Sequence, residues 1–168
     1  NPDLKPFIIF APGVDESVGF AMHLRKQGIR VAHIDGDDCW LDGERYKSDR
    51  DARRQILDEL KRGTIQGLTN RFVLREAIDI KELFCCVLAT PIGSLMSYVQ
   101  IVGRVLRAHH SMDDAVILDH GGNWWRHGSV NANREWELGD TEAVVQGLRQ
   151  ERVRNKTERE PMRCPPCG

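Results

Sequence analysis

The chain has 168 residues, 40 % of them hydrophobic, and a formal net charge of −1. This length suffices for a domain with a hydrophobic core, and since no apolar run reaches membrane-spanning length, we expect no membrane segment. The balanced charge excludes a surface that is basic throughout, so any affinity for nucleic acid must come from a local basic strip. The five cysteines, an odd number, argue against a disulfide framework and favour a reducing, cytoplasmic setting.

Apolar runs alternate with amphipathic patterns along the chain. The runs predict short buried strands at residues 7–10, 30–34, 65–69, 85–89 and 115–119. The amphipathic patterns predict helices at residues 15–27, 51–62, 94–107 and 140–153. This alternation predicts an α/β fold with a mainly parallel sheet.

Single residues mark where the first two helices begin and end. Asp15 is predicted to cap the first helix, and Gly28 and Gly63 are predicted to stop the first and second helices at the position after the C-cap. Residues 35–50 are polar and contain glycine, so they are predicted to form a loop.

The helix predicted at residues 94–107 carries the strongest chemical signal. Four apolar side chains at helical spacing predict a narrow stripe that anchors it: Leu95, Val99, Val102 and Leu106. Gln100, Arg104 and Arg107 fall together on the opposite side. Paired guanidinium groups suit phosphate oxygens, although a solvated face would give the same pattern.

The pattern Gln-x-x-Gly-Arg-x-x-Arg in this helix resembles the last signature motif of superfamily-two helicases. Three further stretches resemble motifs of the same family: residues 7–17, Glu44-Arg45 with residues 57–63, and residues 68–80. All four occur in the family's order. The chain is therefore identified as similar to the C-terminal RecA-like domain of a DEAD/DEAH-type, phage-like helicase.

The resemblance implies a RecA-like three-layer sandwich for residues 1–148 and an ATP-dependent helicase, a nucleoside-triphosphate hydrolase, as the intact protein. ATP and Mg²⁺ would be held by an N-terminal RecA-like domain of the same protein. DNA is the expected substrate, and RNA stays open. Since the chain has no Gly-x-x-x-x-Gly-Lys-Ser/Thr loop, we expect it to hydrolyse no ATP by itself.

The resemblance also implies roles for residues that contact ATP. Arg104 and Arg107 would be arginine fingers that reach the γ-phosphate, and Gln100 would bind a phosphate oxygen or place the attacking water. Gly103 would belong to the same ATP site. A glycine inside a helix also fits close packing of another backbone, or else is only a weak point of the helix. Asp79 would lie near the ribose.

Residues at two predicted strand ends are candidates for binding nucleic acid. Thr69 and Asn70 end one strand, where a hydroxyl and an amide can contact backbone phosphate. Gly13 precedes the first helix, whose free N–H groups suit phosphate. The alternatives are a simple helix cap for the first pair and an ordinary turn for the glycine.

Two segments towards the end of the chain are rich in metal-ligand residue types. Residues 120–128 hold two histidines and two tryptophans, which could form a metal site or a base-stacking platform; we favour a structural turn. Residues 149–163 are interpreted as a charged helix end and linker. Residues 164–168 are interpreted as the first half of a zinc ribbon, in which Cys164 and Cys167 form a Zn²⁺ half-site, or else as an unliganded tail.

Two other functions fit the same motifs. A duplex DNA translocase of a restriction enzyme shares the motor but does not unwind DNA. A non-enzymatic nucleic-acid-binding module would retain only the fold, and Ala77, which stands where the family has glycine, favours that alternative.

Overall fold

The computed structural model describes residues 6–71, 83–106 and 114–132, and these residues contain seven strands and four helices. The strands are β1 (Phe7–Phe10), β2 (Val31–Ile34), β3 (Asp38–Leu41), β4 (Glu44–Lys47), β5 (Gly67–Asn70), β6 (Cys85–Leu88) and β7 (Val116–Asp119). The helices are α1 (Val14–Lys26), α2 (Arg50–Lys61), α3 (Leu95–Val105) and α4 (Asn123–His127). The helix expected at residues 140–153, the linker and the half-ribbon lie outside the described residues.

The seven strands form one sheet in the order β4-β3-β2-β5-β1-β6-β7. The five strands from β2 to β7 in that order pair in parallel, whereas β3 and β4 add an antiparallel hairpin at one side. The parallel strands therefore end along one edge of the sheet. Phe10 is in register there with both Asn70 and Leu88. The predicted α/β class with a mainly parallel sheet is confirmed.

The helix ends agree with the glycine predictions but not with the predicted cap. Gly28 and Gly63 have φ of 78° and 73°, the left-handed conformation that ends a helix. Asp15 does not cap α1, because Gly13 is the N-cap and no side chain bonds there. Asp15 lies in the first turn instead, where a carboxylate favours the positive end of the helix dipole.

The loop predicted at residues 35–50 is wrong, because β3 and β4 form a hairpin there. Its two turn residues, Asp42 and Gly43, have φ of 55° and 97°, as a tight two-residue hairpin turn requires. Arg30 anchors the turn by donating from Nε to the Asp42 carboxylate (2.9 Å) and from Nη1 to Glu59 of α2 (2.9 Å). The hairpin is thus held to both β2 and α2.

The core face of α3 differs from the predicted stripe. Its buried residues are Tyr98, Ile101, Val102 and Val105. Of the predicted stripe only Val102 is fully buried, and Leu106 is 40 % exposed. The helix is thus rotated by about 80° from the prediction, since burying the Tyr98 ring and Ile101 outweighs burying Leu95 and Leu106.

Candidate nucleotide and nucleic-acid site

Two of the predicted ATP-contacting side chains lie one turn apart on α3. Gln100 is exposed and Arg104 is partly exposed, both on the side of the helix away from its four buried residues. Ser94 fixes the start of this helix, since its Oγ accepts a hydrogen bond from Ser97 N at 3.1 Å. Ala77, Asp79 and Arg107 lie outside the described residues, so the roles of Asp79 and Arg107 stay predictions.

Gly103 is exposed on the same helix, and a Cβ added to it would meet no atom within 4 Å. The close approach of another backbone that we expected is therefore not found within the described part of the chain. A glycine inside a helix costs about 1 kcal/mol relative to alanine. Packing among the described residues gives no reason for that cost.

Thr69 and Asn70 end β5 and are both fully buried. Thr69 Oγ1 donates to the carbonyl of Ser17 (2.9 Å) on α1, and Asn70 Nδ2 donates to the carbonyl of Ile9 (3.0 Å) on β1. In this conformation the two side chains fasten the end of β5 to its neighbours. Neither side chain exposes a polar atom to a nucleic-acid strand at the surface of the protein.

Gly13 has extended backbone, with φ of −143°, so its conformation does not require glycine. A Cβ at this position would displace the flexible side chain of Glu16, whose carboxylate lies directly over Gly13. Asp15 and Glu16 together place two carboxylates in the first turn of α1. A phosphate that approaches the N–H groups at the start of α1 must therefore displace these carboxylates or bind against their negative charge.

A buried polar chain that sequence reasoning missed joins α1 to the end of β2. Ser17 Oγ and His33 Nδ1 share a hydrogen bond of 2.7 Å, and His33 Nε2 donates to Asp35 Oδ2 at 3.0 Å. Asp35 Oδ1 accepts from the N–H groups of Asp37 and Asp38, both at 2.7 Å. Because Ser17 is fully buried, this Ser-His-Asp series positions segments and offers no accessible nucleophile.

The carboxylate of Asp35 keeps its negative charge within this series of hydrogen bonds. Burial raises the pKa of Asp35, but the N–H of Asp38, the imidazole of His33 and the N–H of Asp37 together lower it further, so the net pKa lies below that of an ordinary aspartate. The carboxylate is then ionised and can only accept hydrogen bonds. In the neutral ring, His33 therefore carries its proton on Nε2 and accepts the Ser17 hydroxyl proton at Nδ1.

One motif assignment is corrected by α2. Glu44 and Arg45 lie on exposed β4, where Arg45 pairs with Asp38. The motif that residues 57–63 resemble has an arginine four positions before its first leucine and ten before its glycine, and in this chain that arginine is Arg53 of α2. Arg53 Nε donates to Ser48 Oγ (2.7 Å), and its Nη2 donates to the carbonyls of Asp35 and Gly36 (3.2 and 3.0 Å). The spacing Arg-x-x-x-Leu-x-x-Leu-x-x-Gly was the signal that could have identified it.

The segment after β7 is built around buried Asn123. Its Oδ1 accepts from Ile92 N (2.6 Å), and its Nδ2 donates to the carbonyl of Thr90 (3.0 Å) and to Asp119 Oδ1 (2.8 Å). A Cβ on Gly121 would collide with the Thr90 carbonyl. Residues 120–128 therefore form a structural turn that leads into α4, as the favoured interpretation expected, while stacking of bases on the tryptophans stays a prediction.

The rings of this segment divide into two groups. His127 stacks on Tyr98 at 5.3 Å between centroids, and its Nε2 lies 2.7 Å from the carbonyl of Ile92. Trp124 and Trp125 pack edge to face at 4.8 Å and stay outside the core, Trp125 being 75 % exposed. The histidine is thus structural, whereas the tryptophans form a surface pair.

The described residues contain no cluster of three or more His, Cys, Asp or Glu that could hold a metal ion. Cys39, Cys85 and Cys86 are free thiols, and burial raises the pKa of each. Cys164 and Cys167 lie outside the described residues. No helix in the described part of the chain is long and apolar enough to span a bilayer.

Known proteins that resemble the chain carry the same domain. The model of the helicase conserved C-terminal domain matches residues 3–109. A 51.5 kDa protein of Lactococcus phage (isolate 7-9) is 26 % identical over 130 residues, which cover 77 % of this chain and 26 % of that protein. UvrABC system protein B of Anaplasma phagocytophilum is 34 % identical over 98 residues, covering 57 % and 14 %.

The fold resembles that of a DEAD box protein from Methanococcus jannaschii, with a TM-score of 0.57 at 20 % identity over 76 % of this chain and 31 % of that one. The chain thus spans about a quarter or less of the curated relatives named above. The RecA-like α/β fold predicted from the motifs is confirmed. The chain belongs to the family of helicase conserved C-terminal domains, the second RecA-like domain of superfamily-two helicases.

Proposed function

We propose that the chain is the second motor domain of an ATP-dependent nucleic-acid helicase. It would supply Arg104, Arg107 and Gln100 to ATP and Mg²⁺ held by an N-terminal RecA-like domain. The observation that supports this proposal is the position of Gln100 and Arg104, which lie one turn apart on a helix whose other side is packed in the core. A rigidly mounted guanidinium can stabilise the charge that develops on a transferring phosphoryl group.

The nucleic-acid strand would lie across the ends of β1 and β5. Phe10 and Asn70 are in register there, so Gly13 and the end of β5 lie close together. Thr69 and Asn70 would act by holding this backbone in place, while main-chain N–H groups near Gly13 contact phosphate. Contacts of this kind distinguish DNA from RNA only weakly, so DNA is the substrate that we propose and RNA is the alternative.

Closure of the two motor domains on ATP would move the ends of β1 and β5, across which the nucleic-acid strand lies, as one unit. The Thr69 hydroxyl is bonded to α1, and Ser17 of that helix is bonded to His33 of β2. A shift at the end of β5 would therefore be transmitted to α1 and to the end of β2. Such a linked displacement is what converts closure into movement along a strand.

The test is ATP hydrolysis by the intact protein that contains this domain, with and without single-stranded DNA or RNA. Arg104→Ala should lower DNA-stimulated turnover by about 10³-fold or more, with DNA binding retained. Arg54→Ala, which removes an exposed arginine of α2, is the matched control and should keep full turnover.

Two outcomes separate the alternatives. If the wild-type protein shows no turnover with either DNA or RNA, the motor proposal is wrong and the non-enzymatic binding module takes its place. If turnover occurs and a triplex-forming strand is displaced without separation of the duplex, the protein is a duplex translocase. The 168-residue chain alone should hydrolyse no ATP.

A further inference from the structure

A groove between α1 and the β3–β4 hairpin contains an open cavity of about 380 Å³. Its walls come from α1, β2 and both strands of the hairpin. Apolar residues of α1 and of the hairpin line it together with polar residues of α1, β2 and the hairpin. This volume is in the range of sites that hold small organic groups.

The apolar walls of the cavity face each other across the groove. Val14, Val18 and Met22 follow one another at every fourth position of α1, so they form one side. Trp40 lies on the hairpin directly opposite Arg45 in register, so both side chains project from the same face of the hairpin. A planar group that enters the groove can therefore stack on Trp40 while its other face meets aliphatic side chains.

The polar lining of the cavity is mainly negative. Asp15, Asp35 and Asp38 contribute three carboxylates, whereas Arg45 is paired with Asp38. His33 and Asp35 are almost completely buried at the base and hold each other by a hydrogen bond. Such a lining repels phosphate but accepts hydrogen bonds from N–H groups.

Gly19 leaves space in this cavity. It lies in the middle of α1 with helical backbone, and a Cβ added to it would meet no atom within 4 Å. Glycine is among the poorest helix formers, and neither backbone conformation nor packing requires it here. An occupant of the cavity would explain why this position is free of a side chain.

The cavity opens beside the helix start to which the proposed function assigns a backbone phosphate. Val14 and Asp15 line it and directly follow Gly13. A nucleotide whose phosphate lies near Gly13 can thus direct its base towards Trp40.

We propose that this cavity accepts one unstacked base of the nucleic-acid strand and prefers a base with an exocyclic amino group. The base stacks on Trp40, and its amino group donates to Asp15 and to the oxygen of Asp38 that does not accept from Arg45, as cytosine N4 donates to aspartate in other complexes. Uracil and thymine present a carbonyl oxygen at that position, which the carboxylates repel. The inference rests on the proposed function and adds to it a base preference that contacts to phosphate cannot give.

The test compares two labelled oligonucleotides of about 12 residues, one of deoxycytidine and one of deoxyuridine, by fluorescence anisotropy with the 168-residue chain. The two bases differ at position 4, which carries an amino group in cytosine and a carbonyl oxygen in uracil, and at N3, which accepts a hydrogen bond in cytosine and donates one in uracil. Deoxycytidine should bind about tenfold more tightly. Gly19→Leu fills the cavity and should lower the affinity for deoxycytidine to that for deoxyuridine, while its Tm stays equal or rises because leucine favours helix.

Two controls address stacking and the bulk of the added side chain. His23→Leu adds the same side chain at an exposed position of α1 that does not line the cavity, and it should keep the preference for deoxycytidine. In a variant with Trp124, Trp125 and Trp136 replaced by Phe, the emission of Trp40 should be quenched by the deoxycytidine oligonucleotide. Gly19→Leu in that background should abolish the quenching.

Equal affinities for the two oligonucleotides, or an unchanged preference in Gly19→Leu, would overturn the proposal. Absence of binding by either oligonucleotide overturns it as well, while the ATPase test on the intact protein still decides the proposed function separately. If an arginine-rich peptide binds the chain and Gly19→Leu abolishes that binding without affecting either oligonucleotide, the cavity holds a protein segment and the base proposal is wrong.

Discussion

The hydroxyl of Thr69 donates a 2.9 Å hydrogen bond to the carbonyl of Ser17, joining positions 52 residues apart in the chain. The bond fastens the carboxyl end of β5 to α1 in the interior of the domain. Thr69 thus has a structural partner at the position where the motif predicts a contact with nucleic acid.

Replacing Thr69 tests how much this bond stabilises the domain. Thr69→Val keeps the shape of the side chain but removes the donor, so it should lower the free energy of unfolding by about 1 kcal/mol. Thr69→Ser keeps the hydroxyl and should retain the hydrogen-bond contribution, losing only the packing of one methyl group. Urea denaturation measures both, and equal stability of Thr69→Val and the wild type would contradict the assignment.

The lowered pKa of Asp35 predicts an acid-sensitive contribution to stability. A carboxyl group whose pKa is lower in the folded chain stabilises the fold above its unfolded pKa, about 3.9, and loses that contribution as the pH falls through its folded pKa. We expect Asp35→Asn to be less stable than the wild type at pH 7. The difference should shrink as the pH falls from about 5 towards 2. Urea denaturation across this range checks the prediction, and a constant difference at every pH would contradict it.

Removing the amide of Asn123 should have a larger effect than changes on the surface. Asn123→Ala leaves the N–H of Ile92 and the carbonyl of Thr90 without their buried partner, so we expect a loss of about 2–4 kcal/mol. Trp125→Ala, on the same short helix but 75 % exposed, should change stability by less than about 0.5 kcal/mol. Thermal unfolding of both variants measures the contrast, which would vanish if Asn123 were peripheral.

The carboxylate over Gly13 should weaken binding of a phosphate at the start of α1. Glu16→Gln removes that charge and should raise the affinity for single-stranded DNA by about 3- to 10-fold at low salt, with a smaller gain at high salt. Asp51→Asn removes a carboxylate from the first turn of α2 instead and serves as the control. Titrations at two salt concentrations would disprove the proposed phosphate position if both variants behaved alike.

Local sequence patterns predicted the parts of the fold that depend on neighbouring residues. The parallel strands are short apolar runs. Gly28 and Gly63 end helices because these positions require a positive φ, which glycine adopts without strain. The hairpin was missed because β4 is exposed along its whole length and shows no apolar alternation. The Asp42-Gly43 pair was its only local signal.

The candidate site was predictable only in part, because burial depends on contacts between distant residues. The motif placed Thr69 at a strand end, but its burial follows from the packing of α1 against β5. Similarly, Ser17 and His33 are 16 residues apart, and no spacing rule brings them together. The rotation of α3 shows the same limit, since helical periodicity identifies an apolar face only approximately.

The charged character of β4 has a consequence for solubility. This strand reads Glu-Arg-Tyr-Lys and lies at the outer side of the described sheet, next to β3. Exposed strands with free N–H and C=O groups invite pairing with strands of other molecules, and charged side chains, lysine above all, oppose such pairing. The charged strand β4 therefore terminates the described sheet on this side and opposes edge-to-edge aggregation of the domain.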